Sequence, residues 1–251
     1  MKGGSALKHF SLTDKGPVRR DNQDCARTET LRAGRCAVAV VCDGMGGAKG
    51  GQVASTLCCD AFLDDLRAHV NAGKKNAVLL PVWLRLACER ANIAVYERSV
   101  EDESCAGMGT TLVAAVLRGN RAELLNVGDS RAYLVGRRHL QQITSDHSYV
   151  ADLVASGRIS PQQAAHHPNR NLITRAIGVD EKVEPDLYTV TLRPGQFLLL
   201  CSDGLVNALS ETQIHTICRA HRKPEDICRA LIDAAAANNA RDNISAAVIK
   251  P

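Results

Sequence analysis

Three acidic residues in this chain stand at the ends of apolar runs of strand type. Asp43 closes Val38-Ala39-Val40-Val41-Cys42 and opens Gly44-Met45-Gly46-Gly47. Asp203 closes Phe197-Leu198-Leu199-Leu200-Cys201-Ser202, and Asp242 stands just ahead of Ile244-Ser245-Ala246-Ala247-Val248-Ile249. Short runs of branched apolar residues suit a buried sheet, so three acids at three such ends point to one cluster. Carboxylates crowded away from water repel one another and take up protons unless a counter-charge is supplied. Divalent cations are the simplest counter-charge. The candidate donors are all oxygen: Asp43, Asp203 and Asp242, the Gly44 carbonyl, and a looser Asp129 in Gly128-Asp129-Ser130-Arg131. Hard oxygen donors suit Mg2+ or Mn2+ and not a thiolate-bound ion. Two such ions about 3.5–4 Å apart can share a carboxylate and a bridging water that attacks an electrophile in line. Asp43 and Asp203 are the candidates for sharing, with Asp242 completing the more strongly held pair. Arg19 offers a planar fork that matches two oxygens of a phosphate.

Each acid taken alone is equally well read as a turn cap, because Asp-Gly and Asp-Asn pairs form turns readily. The repetition of strand followed by acid favours the metal reading. Gly128-Asp129-Ser130-Arg131 is also explained by a tight turn in which Arg131 pairs with Asp129. No activated side-chain nucleophile is visible, since Gly44-Met45-Gly46 lacks a Ser or Cys at an elbow and no Cys-x5-Arg loop occurs. Water is therefore the expected attacker.

Elements must carry these groups to one place. His9 to Gly16 reads as an edge strand and a turn, followed by the polar segment Val18 to Asp24. Beyond the glycine turn, Val53, Leu57 and Ala61 recur at helical spacing, as do Ala54, Cys58 and Phe62, followed by Leu66 and Val70. Asn71 to Asn76 reads as a turn, and Pro81 marks the first turn of a second helix running towards Tyr96. The period then changes to two: Thr111 to Leu117, a hairpin signal at Arg118-Gly119-Asn120, Ala122 to Val127, and Ala132 to Val135. Connections this short exclude crossover helices, so the sheet is expected to be antiparallel. Ser160-Pro161-Gln162-Gln163 and Ser210-Glu211-Thr212-Gln213 carry helix-start signatures, and Lys223-Pro224 starts a further helix. Strands return near Val183 to Thr191, at Phe197 to Cys201 and at Ile244 to Ile249. This order fits an α+β fold of paired antiparallel sheets flanked by helices better than a doubly wound parallel sheet.

The 251 residues suffice for one self-sufficient core and read as a single domain, 1–251. Aromatic residues make up only 3%, which argues against a base-stacking surface and hence against nucleic acid. The formal charge of +4 is modest, and the basic residues are scattered. Most of the ten cysteines lie inside apolar patterns, no CxxC pair occurs, and Met1-Lys2-Gly3-Gly4-Ser5 leads into no apolar secretory segment. Reduced core thiols in a cytoplasmic protein are expected. No apolar run approaches membrane-spanning length.

Taken in order, these motifs resemble those of the metal-dependent PPM (PP2C-type) serine/threonine protein phosphatases, particularly the compact bacterial branch. The markers are Thr13-Asp14-Lys15-Gly16 with Arg19 and Asn22-Gln23-Asp24; Val41 to Gly47; Gly109-Thr110-Thr111; Val127 to Arg131; Thr144-Ser145-Asp146-His147-Ser148; Thr174 to Gly178; Ser202-Asp203-Gly204-Leu205; and Asp242-Asn243-Ile244-Ser245. The resemblance implies a four-layer α-β-β-α sandwich. It implies that Asp43, the Gly44 carbonyl, Asp203 and Asp242 hold two Mn2+ or Mg2+ ions, that Asp129 with Asp203 offers a weaker third site, and that Arg19 clamps the phosphate. It also implies a variable flap around 146–175 beside the substrate groove. Two positions depart from many relatives. Gln23 stands where Glu is common, and Met45 stands where eukaryotic relatives have a His thought to protonate the leaving alcohol.

The function implied is hydrolysis of phosphoserine and phosphothreonine on proteins by a metal-bridging water or hydroxide. Arg19, Asp43, Asp203 and Asp242 form the catalytic set. The implied setting is a monomeric cytoplasmic enzyme, without membrane insertion, opposing a cognate serine/threonine kinase on that kinase's substrates. The rivals are a non-catalytic phosphoprotein-binding regulatory module using the same cleft and a hydrolase of small phosphomonoesters or of phosphorylated regulators of transcription.

Overall fold

The computed structural model describes residues 7–47, 50–72 and 79–251. Two antiparallel sheets stack face to face. One has the order β1-β11-β10-β7-β8, from β1 (Lys8–Asp14), β11 (Ile244–Lys250), β10 (Phe197–Cys201), β7 (Arg131–Val135) and β8 (Leu140–Gln142). The other has the order β2-β3-β5-β6-β9, from β2 (Asp24–Leu31), β3 (Cys36–Met45), β5 (Leu112–Arg118), β6 (Arg121–Val127) and β9 (Asp186–Thr191); the two-residue β4 (Gly109–Thr110) pairs with the end of β3. The second sheet is covered by α1 (Gly50–Ala72) and α2 (Leu80–Glu101). The first is covered by α5 (Asp203–Ala208), α6 (Glu211–Ala220) and α7 (Pro224–Ala237), while α3 (Tyr149–Ala155) and α4 (Pro161–Ala165) lie in the connection from β8 to β9. The layers are therefore α-β-β-α, as the sequence implies.

The strand period of two divides each strand between two cores. In β3, Val38, Val40 and Cys42 face the helices, whereas Ala37, Ala39 and Val41 face the opposite sheet. The seam between the sheets is built largely of small residues, among them Ala26, Ala115, Ala132 and Ala247. These let the sheets close on one another with little aromatic bulk. In α1 the buried line is Ala54, Cys58, Phe62, Leu66 and Val70, and Val53, Leu57 and Ala61 pack partly against the same core. The predicted turn from Asn71 to Asn76 starts inside α1, and its residues 73–76 lie outside the described residues.

Several sequence signals fall where they were expected. Pro81 lies in the first turn of α2, and Ser160 with Gln163 and Ser210 with Gln213 form reciprocal capping boxes. The β5–β6 hairpin turns at Gly119-Asn120, with Gly119 at φ 61°. All ten cysteines are buried free thiols; Cys42 Sγ lies 3.7 Å from Cys58 Sγ and 3.6 Å from Cys59 Sγ. Strands β2 and β8 and helices α3 and α5 carry no distinct signal in the sequence reading. Among the described residues, no helix is long and apolar enough to cross a membrane.

The small-residue seam can be tested by overfilling it. Ala115→Leu should destabilise the protein by about 1–3 kcal/mol, seen as a lower urea midpoint with an unchanged slope. An undiminished midpoint would show that the sheets do not close tightly there.

Candidate metal centre

The apolar seam becomes polar at one end without changing its period. Following the inward-facing positions outward, β2 ends in Asp24, β3 in Asp43, β10 leads to Ser202, and β11 is preceded by Asn243 and contains Ser245. Asp24 and Asp43 stand directly opposite one another in the β2–β3 register, a like-charge placement that disfavours an isolated pair. The Oγ groups of Ser202 and Ser245, from the other sheet, each donate to Asp24 Oδ2 at 2.7 Å. Asp24 thereby ties the two sheets together at the level of the acids.

Asp43 is fixed by its backbone, which leaves its carboxylate free. Its N–H donates to Thr111 Oγ1 at 2.9 Å, and its carbonyl accepts from Thr111 N–H at 2.9 Å and from Thr110 Oγ1 at 2.9 Å. Thr111 Oγ1 is held in turn by Ser130 Oγ at 2.7 Å. The next residue cannot carry a side chain: a Cβ on Gly44 would run into the Gly51 carbonyl at the start of α1 and the Gln23 carbonyl. Gly204 plays the same part for Asp203, since a Cβ there would strike the Asn243 carbonyl beside Asp242. Close backbone approach at these two glycines is what draws separate strand ends together.

Asn243 anchors the arm that carries Arg19. Its side-chain amide donates to the Lys15 and Asp21 carbonyls at 2.9 Å each, and its Oδ1 accepts from Gln23 N–H at 2.9 Å. Arg19 then reaches Asp242, donating from one Nη to Asp242 Oδ2 at 2.7 Å and from Nε to the Arg241 carbonyl at 3.3 Å. Gln23 donates from Nε2 to the Gly47 carbonyl at 3.1 Å and so closes the glycine turn.

The acids Asp24, Asp43, Asp129, Asp203 and Asp242 lie within one another's fields. Burial first, then the neighbouring carboxylates, holds Asp43 well above the usual carboxylate range. Burial likewise pushes Asp24 and Asp129 up to about 7 and raises Asp203, whose carboxyl is within hydrogen-bonding reach of a protonated Asp43. The buried Oδ1 atoms of Asp203 and Asp24 have no hydrogen-bond partner. No three His, Cys, Asp or Glu side chains among the described residues are already drawn around a single point. The orphaned buried oxygen on Asp203 and the shared rise in proton affinity nevertheless fit a cation, since unpaired carboxylate oxygens in a dry site call for positive charge.

Asp43, Gly44, Asp203, Asp242 and Arg19 thus converge, and Asp129 stands at the margin of the same field. Arg131 does not pair with Asp129, as the tight-turn reading had it. Its guanidinium binds Asp146 through both oxygens, at 2.7–3.1 Å, which leaves Asp129 to face the other acids. The motifs alone do not disclose the structural roles of Thr111, Ser130, Ser202, Asn243 and Ser245, nor which of the polar residues in Asn22-Gln23-Asp24 faces the acids. Continuing the inward-facing period past the apolar runs would have marked Asp24, Ser202, Asn243 and Ser245 as lining the same end.

The sign of the pH dependence follows from these acids. The folded-state proton affinities of Asp24, Asp43, Asp129 and Asp203 lie above the unfolded value near 3.8, so the ion-free native state binds more protons than the unfolded state between about pH 4 and pH 7. Its stability should fall as pH rises through that window. Melting of ion-depleted protein should show a higher midpoint at about pH 5.5 than at about pH 7.5, with a smaller difference in Asp43→Asn. A midpoint independent of pH in both proteins would contradict the crowded-acid geometry.

A family model described as protein phosphatase 2C matches residues 18–246. The serine/threonine phosphatase stp of Listeria monocytogenes is 36% identical over 245 residues, covering 95% of this chain and 93% of that protein. The protein phosphatase PhpP of Streptococcus pneumoniae is 35% identical over 242 residues, covering 95% of each. Among solved structures, the serine/threonine phosphatase Stp1 from Staphylococcus aureus superimposes with a TM-score of 0.88 at 35% identity, over 100% of this chain and 97% of that one. The catalytic domain of the serine/threonine protein phosphatase PstP, in complex with two manganese ions, gives a TM-score of 0.83 at 33% identity over 97% of each chain. With the match running from Val18 to Ala246, through both sheets and every acid of the cluster, this chain belongs to the protein phosphatase 2C family.

Proposed function

We propose that the chain, acting as a single domain over residues 1–251, is a metal-dependent phosphatase that hydrolyses phosphoserine and phosphothreonine on proteins. The observation that carries this reading is the proximity of Asp43, Asp203 and Asp242, which lie within one another's electrostatic fields, with an unpartnered buried Oδ1 on Asp203 and the Arg19 guanidinium on the rim. Asp43, the Gly44 carbonyl, Asp203 and Asp242 hold two divalent cations, and Asp129 with Asp203 holds a weaker third. Bound there, Mn2+ or Mg2+ would keep the acids ionised and lower the proton affinity of water so that hydroxide is available to attack phosphorus.

The residues of the chain do the rest. Arg19 uses Nε and one Nη on Arg241 and Asp242, which leaves guanidinium N–H groups for two phosphoryl oxygens. The hydrogen bonds from Thr110 and Thr111 and the exclusion of a Cβ at Gly44 hold Asp43 rigidly, so that the phosphate meets a site requiring little rearrangement. Attack in line displaces the seryl or threonyl oxygen in one step. Met45 has no proton to give that oxygen, so a water held at the site would take the part of general acid. The segment 146–175, with α3 and α4, forms the flap beside the groove. A cytoplasmic monomer acting against a cognate serine/threonine kinase is the setting this reading implies.

A non-catalytic phosphoprotein-binding module would need no complete acid set, and here the set is intact. Phosphate release from a phosphothreonine peptide should require added Mn2+ or Mg2+, and Asp43→Asn or Asp242→Asn should lower it by about 10²-fold or more. Retained activity in both variants would sink the proposal, while ion-dependent peptide binding without release would favour the binding module. Arg19→Ala should lower kcat/KM by roughly 10- to 100-fold, with metal binding preserved; an unchanged kcat/KM would remove Arg19 from phosphate recognition.

A further inference from the structure

The strands that bring the acids to one end send their chain reversals to the other. The reversals 32–35, 118–121, 136–139 and 192–196, which join β2–β3, β5–β6, β7–β8 and β9–β10, all lie at the pole opposite Asp43, as does the α6–α7 connection 221–223. The amide register places Lys8 beside Lys250 at the same pole, and Lys250 Nζ donates to the Arg222 carbonyl at 2.9 Å. Each of these five reversals carries Arg or Lys and none carries Asp or Glu, although Glu225, paired with Arg229, and Asp226 follow the last of them in the first turn of α7. Among the described residues, Arg121 alone of these reversals forms an ion pair, with Glu123. Arg35, Arg137, Arg138, Arg193 and Arg222 are exposed. The cations also crowd one another, since burial and then the charges of Arg219 and Lys8 lower the proton affinity of Lys250.

Like charges gathered without partners on a folded surface oppose one another and are offset by an external anion. The two poles are separated by the length of β11, roughly 20 Å at 3.4 Å per residue, about twice the physiological screening length or more. The basic pole is therefore electrostatically independent of the acids. Its cations stand on turn tips from both sheets, spread over a broad end rather than aligned along one helix. The large exposed apolar residues of the chain include one aromatic, Tyr149, which lies in α3 and not at this pole. A planar array of phosphates suits such an end better than stacked bases or the groove of a duplex.

We propose that this basic pole docks the protein peripherally on anionic lipid membranes, with the acid cluster directed away from the bilayer towards solution. The contact is electrostatic and adds nothing to the chemistry, so it stands or falls independently of the phosphatase reading.

Sedimentation of the full chain with vesicles tests it. Binding is expected to vesicles carrying about one-third phosphatidylglycerol in phosphatidylcholine, not to phosphatidylcholine alone, and is expected to be lost between ~0.05 M and ~0.5 M salt. The double variant Arg137→Glu with Arg138→Glu should bind the anionic vesicles about tenfold or more weakly, with unchanged melting and unchanged turnover of a small soluble phosphomonoester. Should that variant fold poorly, Arg35→Glu with Arg193→Glu alters the same pole at two other turns and should show the same loss. Failure to sediment, equal binding to neutral vesicles, or full binding by well-folded charge-reversal variants would overturn the proposal. Tighter capture by duplex DNA at matched phosphate concentration would overturn it too, assigning the pole to nucleic acid.

Discussion

The crowding of carboxylates at one end of the sandwich, Asp24 buried and Asp43, Asp129 and Asp203 half-buried, is the constraint on which the rest of this structure depends. Asp24, Asp43, Asp129 and Asp203 each hold protons more tightly than a solvated carboxylate, because burial and one another's charge penalise ionisation. A protein gains nothing in stability from such an arrangement. The surrounding framework must hold it together against that cost, and it does so with neutral groups: the hydroxyls of Ser202 and Ser245 on Asp24, the backbone pairing of Thr111 with Asp43, and the fully used amide of Asn243.

The two sheets supply the geometry for this. Alanines along the seam let them approach closely, and the same inward-facing positions, carried to the ends of the strands, become Asp, Asn and Ser. One continuous period of two therefore builds both the dry core and the polar end. The two glycines that follow Asp43 and Asp203 allow backbone from neighbouring segments to pass where a side chain would block it. Convergence of acids far apart in sequence is in this way a consequence of sheet packing rather than of any local motif.

Much of this was legible in the sequence, and the limits have physical causes. The strand runs before Asp43 and Asp203 and the capping boxes at Ser160 and Ser210 are local signals, and each lies where local chemistry put it. The four layers and the ordered motifs were likewise within reach. Strand β2 escaped because its Asp24-Cys25-Ala26-Arg27-Thr28-Glu29 run is half polar, a sequence stabilised by pairing with β3 and by α1 rather than by its own pattern. The partner of Arg131 escaped for a related reason: Asp129 is nearer in sequence, but Asp146 is the one that folding brings to the guanidinium. Long-range choices between equally charged neighbours leave no trace in spacing.

The molecule is polarised along its strands, with acids at one end and exposed arginines at the other, and the proposed chemistry rests on the acidic end. The most direct measurement there is anomalous diffraction at the manganese edge from crystals grown with Mn2+. The account expects two strong peaks in contact with Asp43, Asp203 and Asp242, with the Arg19 arm still seated on Asn243. Well-ordered crystals showing these carboxylates turned apart, or manganese bound elsewhere with none beside Asp43, would contradict it.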